Sequence, residues 1–348
     1  MKGASSGAHI APLACLALLL ASCAAPLRFA RPVDPMAVLS HDATAYIRLG
    51  RAPLADFAPP LLASLGPSAS SKNLRSMLEK TDSITVAILS GNRGTTQARP
   101  ESLPRFEAVL MGDYPYRSAT FALRQDRQWK KDGRGRAFVS PAQGLGLSFP
   151  GPGIALATSD GGQVAAADAA SAAPGGADRG AAIEASVEAL IDRLLVPGAS
   201  VIPAKLSALC DSDLVVWVPD PFGRFAGEFF GSEASADIDI PALGVLLAAD
   251  RIMVEAAGGA TGAEPVYELT VVFLMRDEED ARTFRPAVRL AWYALSRILL
   301  PGEAGAASLR FELSGDAVAA SGLRIRASSI ASALVTLARN AHQQAGER

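Results

Sequence analysis

Histidine and cysteine are scarce in this sequence, three of each among 348 residues, and aromatic side chains make up 6%. The histidines are His9, His41 and His342, two of them near the ends, so a histidine-dependent triad or a histidine-rich metal site is hard to build. Lys and Arg total 33 against 35 Asp and Glu, a formal net charge of -2. No run of five like charges occurs, and no basic stripe is interleaved with aromatics, so nucleic acid is not an expected partner. Phosphate-loop, dinucleotide-binding and zinc-helix patterns are absent. Gly3-Ala-Ser5-Ser-Gly7 matches a nucleophile-elbow pattern but is not set between a strand and a helix, and it is dismissed. No catalytic residue, metal ligand or cofactor is expected, and the chain reads as a non-enzyme.

What is present begins with the apolar run Ile10–Ala21, which follows a start carrying one lysine, Lys2. At about a dozen residues it is too short to cross ~30 Å of hydrocarbon as a helix, and it reads as the apolar core of a signal peptide. The run closes in Leu20-Ala21-Ser22-Cys23. Those four residues resemble the lipobox of bacterial lipoproteins. The resemblance covers residues 1–23 alone. It implies cleavage between Ser22 and Cys23, a diacylglyceryl and N-acyl (palmitate-type) modification of Cys23, and anchoring to a membrane of the cell envelope. Acyl chains of that kind hold stably, since each buried CH₂ contributes ~0.8 kcal/mol. Ala24 stands where an Asp would suggest inner-membrane retention, which favours the outer membrane; the periplasmic or surface face stays open. With Cys15 removed and Cys23 lipidated, only Cys210 remains, in the apolar setting Leu206-Ser-Ala-Leu-Cys210, where a buried inert thiol is expected.

Beyond the signal (residues 1–22), residues 23–41 carry prolines at 26, 32 and 35 and read as an extended, lipidated tether. Alternating apolar patterns then predict strands over Thr44–Leu49, Ser83–Leu89, Arg105–Met111, Arg136–Ser140, Gly144–Phe149 and Ile154–Thr158. Helices are predicted from Pro53, with Pro59 and Pro60 as kink or break points, over Asn73–Lys80 and over Tyr116–Gln125. Residues 161–182, of which 15 are Ala or Gly, read as a linker or a weak helix, followed by a helix over Ala182–Leu195. A second set of strands is expected over Leu214–Val218, Arg251–Ala256, Tyr267–Met275, Leu309–Leu313 and Ala317–Ala320. Amphipathic helices over Glu279–Leu300 and Ser328–His342 complete it.

The second set repeats the first. Shifting by 168 residues aligns Ala45–Gly91 with Asp213–Gly259 without a gap. It superposes Leu54, Phe57, Leu61 and Leu62 on Phe222, Phe225, Phe229 and Phe230, and a four-residue adjustment brings Leu110-Met111-Gly-Asp113 onto Leu274-Met275-Arg-Asp277. The expected fold class is therefore α+β: two related modules (42–160 and 183–348) of mainly antiparallel sheet with packed amphipathic helices, arisen by internal duplication.

Three candidate features remain. Asp277-Glu-Glu-Asp280 reads as a capped, acidic helix start rather than a calcium loop, whose alternating ligand spacing is missing. Trp217 and the stripe Phe222, Phe225, Phe229 and Phe230 read first as core, and alternatively as the wall of an apolar ligand cleft. The arginine-bearing helix Glu279–Leu300 reads as sheet-packed, with headgroup contact as its alternative. The expected role is structural or binding, with an envelope protein as partner. A carrier of lipid or another apolar ligand is the alternative. A hydrolase using acids such as Asp82 or Asp250 is poorly supported.

Overall fold

The structure is a computed structural model that describes residues 33–64, 79–89, 105–114, 116–132, 134–141, 144–159, 176–206, 212–225, 248–259, 264–299 and 309–330. It opens with a short helix, α1 (Pro35–Val38). The Asp34 carboxylate accepts the Met36 N–H at 2.9 Å and Pro35 takes the first helical position, a cap and a start that suit each other. Met36, Ala37, Val38 and Leu39 are buried. This corrects the tether expected over 23–41: from Asp34 onward the segment is part of the folded body, because its apolar run finds a core.

Seventeen further elements follow in order among the described residues. They are β1 (Ala43–Gly50), α2 (Arg51–Ser64), β2 (Thr81–Leu89), β3 (Arg105–Gly112), α3 (Tyr116–Gln125), β4 (Lys130–Lys131), β5 (Ala137–Ser140), β6 (Leu145–Gly151) and β7 (Ile154–Ser159). Then come α4 (Gly176–Leu195), β8 (Leu214–Val218), a one-turn π-helix (Pro221–Phe225), β9 (Arg251–Gly259), β10 (Val266–Leu274), α5 (Glu278–Leu299), β11 (Arg310–Ser314) and β12 (Ala317–Arg326). The fold is α+β, as expected, and α2 runs unbroken through Pro59 and Pro60. All the strands join one sheet of 12, ordered β11-β12-β10-β9-β8-β1-β2-β3-β7-β6-β5-β4, and every neighbouring pair is antiparallel.

Alternation along the strands divides the side chains between two faces. On one face Tyr46, Val109, Leu156, Trp217, Met253 and Val272 form a continuous core under α1 and α4. Helix α4 turns Ile183, Val187, Leu190, Ile191 and Leu194 to it, a single helical stripe. Helix α4 begins inside the Ala/Gly-rich stretch, at Gly176, six residues before the expected start, and it packs on β5, β6 and β7 of the first half. The other face is covered by α3 over Leu110, Phe149 and Ala155. There α5 also lies over Phe273 and Val318, and Phe57 of α2 packs on Tyr267 with ring centroids 5.4 Å apart.

The strand order reads the same outward from the centre, β1-β2-β3-β7-β6 one way and β8-β9-β10-β12-β11 the other. Registers make the duplication specific. Ile47 faces Val216 across the central β1·β8 pair, with Tyr46 facing Trp217 and Arg48 facing Val215. A two-fold axis normal to the sheet at Ile47/Val216 thus carries Tyr46 onto Val215, and each such pair shares a face. The correspondence is 169 residues in this strand, one more than the ungapped alignment. It is 168 for β2 and β9, where Ile84 meets Ile252 and Val86 meets Val254. For β3 and β10 it is 163, so Leu110 meets Phe273 and Met111 meets Leu274, one residue from the expected match. A one-residue slip would turn each strand's apolar set to the wrong side, so burial decides these registers.

The two halves differ where α4 docks. A Cβ on Gly146 of β6 would lie 2.4 Å from Val187 Cγ2 and 2.7 Å from Ile183 Cγ2, so only glycine admits the helix there. Its counterpart in β11, by the same symmetry, is the exposed Arg310. Gly146→Val should displace α4 and cost about 1–3 kcal/mol in urea unfolding. Unaltered stability would refute this account of α4 docking.

Candidate functional site

Ser22, Cys23, Phe229 and Phe230 lie outside the described residues, as do Cys210, His9 and His342. Phe225 ends the π-helical turn, and its side chain is likewise outside the description. Trp217 is 2% exposed in the core beneath α1 and α4, beside Tyr46. Phe222, five residues on, is 58% exposed. Of the five proposed cleft aromatics, Trp217 is thus buried and Phe222 exposed. Asp277 does cap α5, accepting the Asp280 N–H at 2.9 Å, and Glu278 pairs with Arg282. The acidic cluster is accounted for as a helix start.

Sequence reasoning missed a buried carboxylate. Glu107 of β3 sits on the face beneath α4 with only 6% exposure. One of its oxygens accepts from the Arg193 guanidinium at 2.7 Å, and the other accepts the Ser40 N–H at 2.8 Å. Tyr46 donates its hydroxyl to the Ser40 carbonyl at 2.5 Å. Ser40 is thereby held at both backbone groups, and one carboxylate joins the sheet, the last turn of α4 and the chain leaving α1. A charge buried this far persists only when paired and hydrogen-bonded, and this one is both. Its sequence signal is a lone acid in the strand Phe106-Glu-Ala-Val-Leu, legible only once one knows which face is covered.

An open cleft of about 360 Å³ lies at the far end of the second half, lined by Glu255, Val266, Glu268, Thr270 and Arg324 among others. Its charges are engaged locally: Ser212 donates to Glu255 at 2.7 Å and Arg324 to Glu268 at 3.2 Å. In the first half the positions of Glu255 and Thr270 are taken by Ala87 and Glu107, under cover of helices. The cleft can thus hold hydrogen-bonding groups. Among the described residues no group of three or more His, Cys, Asp or Glu is placed to hold a metal ion.

Two tyrosines mark polar contacts under the opposite face. The Tyr267 hydroxyl donates to Asp56 at 2.5 Å, tying α2 to β10 across the central pair of strands. Burial first, and then that carboxylate, push its ionisation upward. Tyr114 shares a hydrogen bond with Thr81 at 2.8 Å, and burial pushes its hydroxyl up to about 12. No helix among the described residues is long and apolar enough to cross a membrane.

The fold and its contacts define an α+β protein with a single antiparallel sheet duplicated about its centre. No protein-family model matches the chain, and no curated protein matches it significantly. Solved structures do. Crystal form III of TP0453 superposes with a TM-score of 0.53 at 14% identity, over 88% of this chain and 99% of that one. Crystal form I gives 0.53 at 13%, over 89% and 99%, and form IV gives 0.52 at 15%, over 87% and 97%. The likeness extends to nearly the whole of both chains and establishes a shared fold.

Arg193→Met should leave Glu107 buried without its cation and cost about 2 kcal/mol, the lower side of a broken buried pair because Arg193 is partly exposed. Adding Glu107→Gln should recover part of that loss; equal instability of the single and double variants would refute the pairing. For Tyr114, the folded state favours the neutral phenol, so its contribution is full below pH 10 and lost as pH rises from about 10 to about 12. Denaturation measured at both ends of that window should show a steeper decline in the native chain than in Tyr114→Phe.

Proposed function

We propose that the chain is a lipid-anchored protein of the bacterial cell envelope with a structural or binding role, exercised through protein contacts and without catalysis. The sequence Leu20-Ala21-Ser22-Cys23 supplies the anchor. The observation that carries the reading is the short distance from that cysteine to the folded body. Ser40 is fixed by Glu107 and Tyr46, and Asp34 caps α1, so ten residues, 24–33, separate Cys23 from the fold. Fully extended, they span at most about 35 Å. A protein held so close to a bilayer acts at that surface, and the residue after the cysteine favours the outer membrane.

The alternative is a carrier or binder of lipid or another apolar ligand. Its support is the large apolar side chains left in water, Phe121 of α3 at 63%, Phe222 at 58% and Leu290 of α5 at 73% exposed.

Expressed in a bacterium fed labelled palmitate, the full chain should incorporate label and sediment with membranes, and Cys23→Ala should do neither. Label retained by Cys23→Ala would overturn the anchor. Native mass spectrometry of the purified chain then separates the two roles: solvent-extractable extra mass beyond the covalent lipid favours the carrier, and a clean mass favours the protein-contact reading.

A further inference from the structure

One end of the sheet is left open. Strand β11 pairs with β12 from Arg310 facing Ser321 to Ser314 facing Ala317, and no strand among the described residues lies on its other side. The hairpin turns through Gly315, at φ 57°, and Asp316, a two-residue loop. Such a loop commits the backbone groups of Ser314, Glu312 and Arg310 to β12 and directs those of Leu313, Phe311 and Leu309 outward. The side chain of Arg285, on α5, confirms the direction by donating to the Phe311 carbonyl at 3.1 Å. In the first half the matching strand is not open. There β6 carries β5 on its outer side, with Phe138 facing Leu147 and Val139 facing Gly146. By the internal symmetry Gly146, Leu147 and Ser148 correspond to Arg310, Phe311 and Glu312, so the fold accepts another strand at this position.

We propose that this edge is closed by β11 of a second copy of the chain, antiparallel and centred on Phe311. In that register Phe311 faces Phe311 of the copy as a hydrogen-bonded pair, and Leu309 faces Leu313 on either side. Arg310 faces Glu312 of the copy, and Glu312 its Arg310. Both are exposed and neither forms an ion pair within the described residues, and they point to the same side of the sheet. They fall at the non-hydrogen-bonded positions, where opposed side chains approach most closely. Moving the centre by one residue keeps the outward backbone groups aligned but sets Glu312 against itself and Arg310 against Ser314, and moving it by two sets Glu312 against Ser314, so either shift loses both ion pairs. The phenylalanine N–H of the copy takes over the carbonyl that Arg285 now holds. The arrangement repeats, between chains, the two-fold antiparallel pairing that β1 and β8 make within one, and it does not depend on the lipid anchor.

Sedimentation equilibrium of the full chain, in a detergent matched in density to the solvent, tests this. At about 100 µM, where weak edge contacts register, the chain should show mass above the single-chain value. Arg310→Glu and Glu312→Arg should each weaken association about tenfold, because each turns both attracting pairs into repelling ones. An equimolar mixture of the two variants should associate as the native chain does, since every opposed pair is then attractive; this rescue also shows that both variants are folded. A native chain that stays single, variants that associate undiminished, or a mixture no better than its components would each overturn the proposal.

Discussion

The β1·β8 ladder is the contact on which the rest of the molecule depends. Only four residue pairs join the halves directly there, Tyr46–Leu49 with Leu214–Trp217. Around it the largest buried side chains converge, with Trp217 and Tyr46 opposed on one face and helix α1 above them. Elements that cross it reinforce it: α2 carries Phe57 and Asp56 to Tyr267 on the far side, and the Gly50 N–H donates to the Asp213 carbonyl at 2.6 Å. A short ladder suffices because burial of aromatic surface on both sides supplies the larger share of the stabilisation.

Symmetry of the strands does not extend to their covering. The first half adds β5 and β4, and α4 lies across its β5–β7, admitted by Gly146. In the second half the corresponding face carries the exposed Arg310, Glu312 and Glu268 and the half-buried Glu255, beyond the buried Met253 and Val272. The two halves share one strand scaffold, and different residues at a few inward positions leave one wholly covered and the other partly polar. Glu107 and Thr270 stand at equivalent places. The former is enclosed and must be neutralised by Arg193, and the latter needs no such partner.

Strand positions were readable from the chain because period-two alternation is strong in segments such as Leu214–Val218 and Ile154–Ser159, and α3 falls where its pattern predicts. The repeat was readable as well, through Ile84/Ile252 and Val86/Val254. Its register was not, since Ala45–Leu49 and Asp213–Val218 are apolar in nearly every position and either parity fits the sequence. Helix α1 was hidden by the prolines around it, although Asp34 before Pro35 is a start signal. Phe222 illustrates the opposite limit. An apolar side chain at a helical spacing says nothing about whether a neighbour exists to cover it, and here it remains in water.

The partners in the central ladder are about 170 residues apart along the chain, whereas most other neighbouring strands are much closer in sequence. Closing so long a loop carries an entropic cost that the local hairpins avoid, so the halves acquire their own strands before they meet. During that interval β1 and β8 are both bare edges, each able to recognise the other through the same reciprocal register. Wherever chains are concentrated, the matching edge of a neighbouring chain competes with the chain's own. A central pairing of such long range makes an exchange of halves between two chains the misassembly that this topology favours.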